Sequence, residues 1–145
     1  MINIREISST DTFQVRHPVL RDGKPLESCA FANDDDLSTI HFGLFDYDEI
    51  AGVASLFHQN NDLFHGNQHQ LRGMAVLDNF RRKGYGEALV KRIEQHAMSQ
   101  SSDIIWFNAR ENAVPFYSAL NYTIADEPFD IEGIGTHYIM YKKLT

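Results

Sequence analysis

The chain has 145 residues, of which 43% are hydrophobic and 23% are charged, and its formal net charge is −7. These values fit a single soluble domain over residues 1–145, and the acidic balance excludes a general nucleic-acid-binding face, which needs basic charge. No apolar run is long enough to cross a bilayer, and the N-terminus has no signal-peptide layout. Because Cys29 is the only cysteine, no internal disulfide can form, and we expect a cytoplasmic location without membrane contact.

The first forty residues predict a strand, a short helix and an irregular segment. Residues 2–7 favour a strand, and residues 11–20 favour a helix that Pro18 and the following Asp-Gly-Lys-Pro turn limit. Residues 21–38 carry no regular pattern. Irregular excursions of this length often shape a pocket.

The middle of the chain predicts a hairpin and a further strand. Two apolar runs, residues 40–45 and 50–57, flank a polar Asp-Tyr-Asp-Glu turn. A polar loop then reaches about His69, and residues 71–77 form the next strand. Gly73 interrupts this strand, which indicates a β-bulge or the close approach of another group.

The C-terminal half predicts two helices between strands. Residues 87–99 place their apolar side chains on one helical face, whereas the continuous apolar run at 104–107 is typical of a strand covered on both faces. Residues 112–120 form a short helix that Asn121 ends in a left-handed turn. Strands at 122–125 and 137–144 complete an α/β fold, with a mixed sheet and helices on its faces.

A glycine-bearing basic loop joins the strand at 71–77 to the following helix. Its sequence is Arg81-Arg82-Lys83-Gly84-Tyr85-Gly86. Glycines let a diphosphate approach the backbone, the first helical turn offers unpaired N–H groups, and the basic side chains add charged donors. A turn that merely starts a helix would explain the glycines alone, but the basic residues and the preceding strand favour a phosphate site. Neither a dinucleotide-binding Gly-x-Gly-x-x-Gly, excluded by Leu89, nor a Walker motif is present.

A second motif places a tyrosine on the helix at 112–120. It reads Ala113-Val114-Pro115-Phe116-Tyr117. A phenol held on a helix can act as a general acid. A half-buried tyrosine of the core is the alternative interpretation.

Together these motifs resemble the GCN5-related N-acetyltransferases, the GNAT family. The loop from Arg81 to Gly86 matches the family's phosphate-loop signature, and Ala113-x-x-Phe116-Tyr117-x-x-Leu120-Asn121-Tyr122 is similar to the family's Ala-x-x-Phe-Tyr-x-x-Leu-Gly-Phe. The resemblance covers residues 71–122. It implies a mostly antiparallel central sheet with helices on both faces, and transfer of an acetyl group from acetyl-CoA to an amine.

The resemblance also implies roles for individual residues. Tyr117 takes the position of the general acid, and the Met74 N–H would polarise the acetyl carbonyl. Many relatives carry an asparagine seven residues before the tyrosine, where this chain has Arg110, so Asn108 and Arg110 are both candidates for that contact. The expected coenzyme-binding residues are Met74, Ala75, Val76, Arg81, Arg82, Lys83, Gly84, Tyr85, Gly86, Glu87, Asn108, Arg110 and Tyr117.

The sequence leaves the general base and the acceptor open. The candidate bases by residue type are His41, His69, His137, Glu111 and a water chain. The acceptor is a small-molecule or peptide amine, and the acidic net charge would suit a cationic one. The histidines at 58, 65, 69 and 96 lack a metal-ligand spacing, so no metal is expected.

Two alternatives from other classes remain at this point. A non-catalytic module that binds or senses coenzyme A would keep the basic loop without turnover. An unrelated nucleotide-binding protein would use the same loop for ATP. A homodimer that pairs exposed C-terminal strand edges is a further prediction.

Overall fold

The computed structural model describes residues 1–144, which form eight strands and three α-helices. The strands are β1 (Ile2–Ile7), β2 (Ile40–Asp46), β3 (Glu49–Phe57), β4 (Gln68–Val76), β5 (Ile104–Arg110), β6 (Thr123–Ile124), β7 (Phe129–Ile131) and β8 (Gly135–Lys143). The helices are α1 (Phe13–Leu20), α2 (Tyr85–Ser99) and α3 (Val114–Ala119). No helix among residues 1–144 is long and apolar enough to cross a membrane.

All the strands belong to one mixed sheet. Strands β1 to β4 follow one another as antiparallel neighbours, β5 runs parallel to β4, and β8 returns antiparallel to β5. Strands β6 and β7 both pair with the outer edge of β8. The predicted fold class, a mixed and mostly antiparallel sheet with helices on its faces, is therefore confirmed.

The two faces of the sheet are covered by different helices. Successive residues of a strand point to opposite faces. Val53 on β3 packs with Val15 of α1, whereas its neighbour Ala54 belongs to the larger core on the other face. That core receives the apolar face of α2, on which Leu89 and Ile93 are fully buried. The predicted helical face of α2 is thus the face that packs on the sheet.

Strands β4 and β5 are paired at only one end. Register pairs join Gln68 to Ile104, His69 to Ile105 and Gln70 to Trp106, and beyond Gln70 the strands have no further pairs. The rest of β4 keeps its partner β3 on its other side. The two strands therefore diverge and leave a gap in the sheet between residues 71–76 and 107–110.

A β-bulge lies in β4 beside this gap. Ser55 pairs with Arg72 and Val53 pairs with Ala75, so Ala54 alone stands opposite both Gly73 and Met74. Gly73 has a φ of 65°, a conformation that favours glycine. The bulge expected from Gly73 is confirmed, and the structure also shows the close approach: a Cβ there would lie 3.1 Å from both Arg16 Nε and Phe31 Cε2.

Several predicted boundaries differ from the observed ones. Strand β4 begins at Gln68, three residues before the predicted start at residue 71. The polar Gln68 side chain can be buried in the strand because the preceding loop supplies its hydrogen bonds: its Oε1 accepts from the Asn61 N–H at 2.8 Å, and its Nε2 donates to the Phe64 carbonyl at 2.9 Å. Helix α2 begins at Tyr85, two residues before the predicted start at residue 87. Helix α1 begins at Phe13, two residues after the predicted start, and ends at Leu20 as predicted, with Pro18 inside it.

The C-terminal edge also differs from expectation. The short strand β7 lies in a segment that was expected to be a loop, and it pairs with β8 at residues 135–137. Strand β6 pairs with β8 at Met140 and Tyr141. Directly after β6, the Ala125 N–H donates to the Ile139 carbonyl of β8 at 2.9 Å. Most of the outer edge of β8 is therefore occupied within the chain, so a homodimer would have to pair through another edge, and the homodimer itself stays a prediction.

Candidate active site

The basic loop ends at a helix N-terminus with free N–H groups. Arg82 and Gly84 have φ values of 65° and 80°, and Gly84 caps α2 without any side-chain hydrogen bond. Within residues 1–144, the backbone N–H groups from Arg82 to Glu87 have no hydrogen-bond acceptor in the protein. Free N–H groups at the positive end of a helix dipole form a site for an anion.

The two loop glycines serve different purposes. A Cβ on Gly84 would meet nothing within 4 Å, so this position needs glycine for its φ and for an open approach to the backbone. A Cβ on Gly86 would lie 3.1 Å from Phe116 Cζ and 3.7 Å from Met74 Cε. Gly86 thus lets α2 approach both α3 and the bulged strand β4. The basic loop, the tyrosine-bearing helix α3 and strand β4 thus meet at this contact.

The side chains of the loop are divided between solvent and the hairpin of β2 and β3. Arg81 pairs with Asp78 at 3.1 Å, and Arg82 is exposed. Asp46, in the hairpin, accepts a hydrogen bond from the Tyr85 hydroxyl at 2.6 Å and lies 3.9 Å from Lys83 Nζ. The hydrogen bond to Asp46 raises the pKa of Tyr85. The Tyr85 side chain therefore fixes the start of α2.

Tyr117 lies on the face of the sheet that α2 and α3 cover. Its ring packs on Phe107 of β5, with 4.2 Å between the centroids, and on Phe116 at 5.0 Å. The hydroxyl makes no hydrogen bond to residues 1–144 and is not among the enclosed polar atoms. Burial raises the pKa of Tyr117, so the phenol stays protonated at neutral pH. Such a group can donate a proton but is a poor base.

The opposite face of the sheet carries the other polar residues near the gap. Phe107 and Ala109 belong to the core beneath α2, so Asn108 and Arg110 point the other way. Arg110 is directly paired with His137 of β8, and Gln70 is paired with Trp106, which places Arg72 on this face as well. Tyr117 therefore lies on one face of the sheet, and Arg72, Arg110 and His137 lie on the other face.

His137 is held in one tautomer. Its Nδ1 lies 2.8 Å from the Gly135 carbonyl, which can only accept, so Nδ1 carries the proton in the neutral ring. Nε2 then has a lone pair, and it has no hydrogen-bond partner among residues 1–144 and is not enclosed. This arrangement leaves a ring nitrogen with a free lone pair on the same face of the sheet as Arg110.

The other candidate bases lie elsewhere. Both ring nitrogens of His41 are engaged, Nδ1 with Ser55 Oγ at 2.6 Å and Nε2 with the Asp34 carbonyl at 2.8 Å. His69 bonds Ser102 Oγ at 2.8 Å on the face that α2 covers. Glu111 is exposed in the turn before α3. The structure thus does not bring the four candidates together, and among them only His137 has a free ring nitrogen on the face of the sheet that carries Arg72 and Arg110.

A cluster of arginines surrounds Phe31, and the sequence analysis missed it. The guanidinium carbons of Arg16, Arg72 and Arg21 lie 3.9, 4.6 and 5.4 Å from the Phe31 ring centroid. Only Asp34 supplies a carboxylate, and it is bonded to Arg16. Desolvation and the neighbouring Arg16 lower the pKa of Arg72. A charged residue inside the apolar run at 71–77 was the available signal.

Two further possibilities from the sequence were a cysteine nucleophile and a metal site. Cys29 is fully buried and burial raises the pKa of its thiol, which makes it a poor nucleophile. No three histidine, cysteine or acidic side chains within residues 1–144 converge on a point where they could hold a metal ion.

Comparison with known proteins agrees with the fold and identifies the family. The model of the acetyltransferase (GNAT) family matches residues 2–122. The uncharacterized N-acetyltransferase YitI of Bacillus subtilis (strain 168) is 34% identical over 145 residues, covering 99% of this chain and 97% of that protein. The chain therefore belongs to the GNAT acetyltransferase family, and the resemblance stated from its motifs is confirmed.

Solved structures show the same fold. The structure of an aminoglycoside 6'-N-acetyltransferase complexed with coenzyme A aligns over 99% of this chain and 97% of its own, with a TM-score of 0.78 at 15% identity. The ribosomal-protein-S18-alanine N-acetyltransferase of Escherichia coli aligns over 100% and 95%, with a TM-score of 0.78 at 18% identity. At such identities the likeness concerns the fold. The two acceptors differ widely, so the fold does not select an acceptor.

We predict that His69 makes the stability of the fold depend on pH. Desolvation, with the nearby His58 and His96, lowers its pKa from 6.5 to about 4, so folding favours the neutral ring. Between those values the unfolded chain binds more protons, and stability falls as pH falls from 6.5 towards 4. His69→Gln should flatten this fall by on the order of 2 kcal/mol, as measured by urea unfolding at pH 7 and 4.5. The exposed His65→Gln is the control, and identical pH profiles for both variants would contradict the prediction.

Proposed function

We propose that this acetyltransferase uses acetyl-CoA and transfers its acetyl group directly to the amine of a small-molecule or peptide acceptor. The meeting of Met74, Gly86 and Phe116 at the gap carries this proposal. It sets a bulged strand, a phosphate loop and the tyrosine-bearing helix around one opening. The GNAT family and the coenzyme A complex of a protein with the same fold also support it.

The residues at the gap fit the shape and charge of coenzyme A. The free N–H groups from Arg82 to Glu87 suit a diphosphate, and Arg82 and Lys83 add positive charge. Beyond Gln70, β4 has no partner strand on the side of the gap, so its backbone from Met74 to Val76 can pair with an extended pantetheine arm. Bound acetyl-CoA would supply the reactive thioester. Arg110 and Asn108 stay predicted contacts at the β5 side.

Three groups of the chain can serve the transfer. His137 Nε2 can take a proton from the acceptor amine on one face of the sheet. The Met74 N–H, in the bulge, can donate to the acetyl oxygen. The Tyr117 hydroxyl can give its proton to the departing thiolate on the other face. Because Cys29 is enclosed and lies outside this arrangement, transfer without an acyl-enzyme is the mechanism we favour.

The arginines around Phe31 indicate what kind of amine is accepted. The Arg72 side chain is half-buried and forms no hydrogen bond or ion pair within residues 1–144, and the Arg110 side chain on the same face also lacks an ion-pair partner there. Asp34 also acts on Arg72 but is already paired with Arg16, and a half-buried cation without an ion-pair partner of its own is stabilised when an anion joins it. We therefore propose an acceptor that carries a carboxylate or similar anion beside its amine. The positive charge of Arg72 and Arg110 therefore favours an anionic group on the acceptor, whereas the net charge of the chain had suggested a cationic acceptor.

The phosphate loop can be tested by Gly84→Glu. The new carboxylate would stand where the anion is expected, and the left-handed backbone at Gly84 adds strain, while no neighbouring atom within 4 Å would be disturbed. We expect a folded protein with at least 100-fold weaker binding of labelled acetyl-CoA in equilibrium dialysis, from charge repulsion and blocked N–H groups. Arg5→Glu, exposed on β1, is the charge control. Unchanged affinity in Gly84→Glu would rule out this loop as the coenzyme site.

The acid and base roles predict a loss of turnover with little loss of coenzyme binding. Tyr117→Phe keeps the packing on Phe107 and removes the proton donor, and His137→Gln removes the basic nitrogen. Each variant should lower kcat by roughly 100-fold or more, as general acid–base groups contribute, while the Kd for acetyl-CoA changes less than about threefold. Thiol release from acetyl-CoA in the presence of an amine panel gives the rates. A fully active variant would exclude that residue from its role, and a wild type that binds without any turnover would favour the non-catalytic module.

The acceptor class can be tested with amino acids and their carboxamides as matched pairs. The wild type should prefer the acid member by about 10-fold or more in kcat/KM, the scale of a charged hydrogen-bond pair. Arg72→Gln should lose that preference mainly through the KM of the acid. Arg5→Gln, at the far edge of the sheet, should keep it. Equal use of both members by the wild type would refute the anionic acceptor while leaving acetyl transfer intact.

A further inference from the structure

Arg16 is a fully buried cation with a nearly complete set of partners. Its Nη1 donates to the Cys29 carbonyl at 2.8 Å and to Asp34 Oδ2 at 2.7 Å. Its Nη2 donates to Asp34 Oδ1 and to Ser55 Oγ, both at 3.1 Å. The guanidinium thereby joins helix α1, the irregular segment at 21–38 and strand β3. A bidentate pair of this kind fixes the plane of the guanidinium.

The network around this pair reaches the neighbouring strand β2. Asp34 also accepts from the Phe31 N–H at 2.8 Å, and its carbonyl is 2.8 Å from His41 Nε2. His41 Nδ1 lies 2.6 Å from Ser55 Oγ, the same hydroxyl that Arg16 bonds. The orientation of Arg16 is therefore set by groups from three separate parts of the chain.

One atom of Arg16 lacks a partner, and it lies beside the bulge. Among the buried side-chain nitrogen and oxygen atoms of residues 1–144, only Arg16 Nε has no hydrogen bond. A Cβ on Gly73 would lie 3.1 Å from that nitrogen and 3.1 Å from Phe31 Cε2. The backbone at Gly73 thus rests directly on Arg16 and on the ring that Arg16 covers. The next residue, Met74, holds the N–H that the proposed function uses.

We propose that Arg16, oriented by Asp34, is a positioning residue that fixes the β4 bulge and through it the direction of the Met74 N–H. This inference rests on the proposed function for its catalytic consequence. Its structural claim, that the guanidinium sets the bulge, stands independently of turnover. The same guanidinium supports Phe31, on which Arg72 also packs, so Arg72 and the bulge, neighbours on the β4 side of the gap, both rest on this arrangement.

The test is a direct observation of the Met74 amide. The chain has four methionines, so protein labelled with 15N-methionine gives a sparse amide spectrum in which Met74 is assigned with a Met74→Leu variant. Arg16→Lys keeps the charge and removes the planar fork. We expect the Met74 resonance to shift or broaden while those of Met98 and Met140 stay in place.

The kinetic counterpart separates positioning from simple stability. In Arg16→Lys, kcat should fall about 10-fold to 100-fold, as a small misplacement of a reacting group can cause, while the Kd for acetyl-CoA rises less than about threefold. Arg5→Lys is the matched control, because Arg5 also lies over a phenyl ring, 3.8 Å from the Phe45 centroid, but at the exposed edge of the sheet. It should change neither the spectrum nor the rate.

The outcomes are distinct. A folded Arg16→Lys with an unmoved Met74 amide and wild-type kcat would overturn the proposal. If Arg16→Lys does not fold, Ser55→Ala replaces it: this variant loosens the same guanidinium by deleting one small hydroxyl, and an unmoved Met74 amide there would overturn the proposal equally. A protein that never uses acetyl-CoA would defeat the proposed function, while the amide spectrum would still decide whether Arg16 sets the bulge.

Discussion

The divergence of β4 from β5 is the constraint on which the rest of the site depends. Two parallel strands that pair at three positions and then separate leave backbone groups of the sheet without partners. In a buried sheet such groups are costly unless another molecule supplies the missing hydrogen bonds. The bulge at Gly73 and Met74 lies on β4 beyond its last pair with β5, at Gln70, so the gap combines open backbone groups with a locally redirected N–H. An extended substrate that adds to the edge of β4 satisfies both conditions.

The residues around the gap keep it open and hold its edges in place. Gly86 removes a side chain where α2, α3 and β4 meet, and Tyr85 ties the start of α2 to Asp46 in the hairpin. On the other face of the sheet, Arg16 packs against Gly73 in the bulge and is paired with Asp34. A buried ion pair contributes little net stability compared with apolar packing, but it fixes geometry at a point where geometry matters. The two faces of the sheet then offer different chemistry: a protonated phenol on one, and on the other the His137 imidazole, whose strand partner is Arg110.

Much of this could be predicted from the sequence, because local patterns encode it. The hairpin, the amphipathic helix α2, the bulge at Gly73 and the left-handed Asn121, with a φ of 73°, are all local features. The family motifs identified the donor side in the same way. The cluster around Phe31 joins residues from three distant segments, and only the folded sheet brings them together. The selection of His137 likewise needed the position of the Gly135 carbonyl, and β7 is a strand only because β8 pairs with it.

The most direct test of the account is a calorimetric titration of the purified wild-type protein with acetyl-CoA, with ATP titrated in parallel. We expect saturable binding of acetyl-CoA in the micromolar range and far weaker binding of ATP, since the gap along β4 suits an extended arm that ATP lacks. Tighter binding of ATP would identify the loop as a general nucleotide site. The absence of acetyl-CoA binding would contradict the central claim that the loop, the gap and Tyr117 form one acetyl-CoA site.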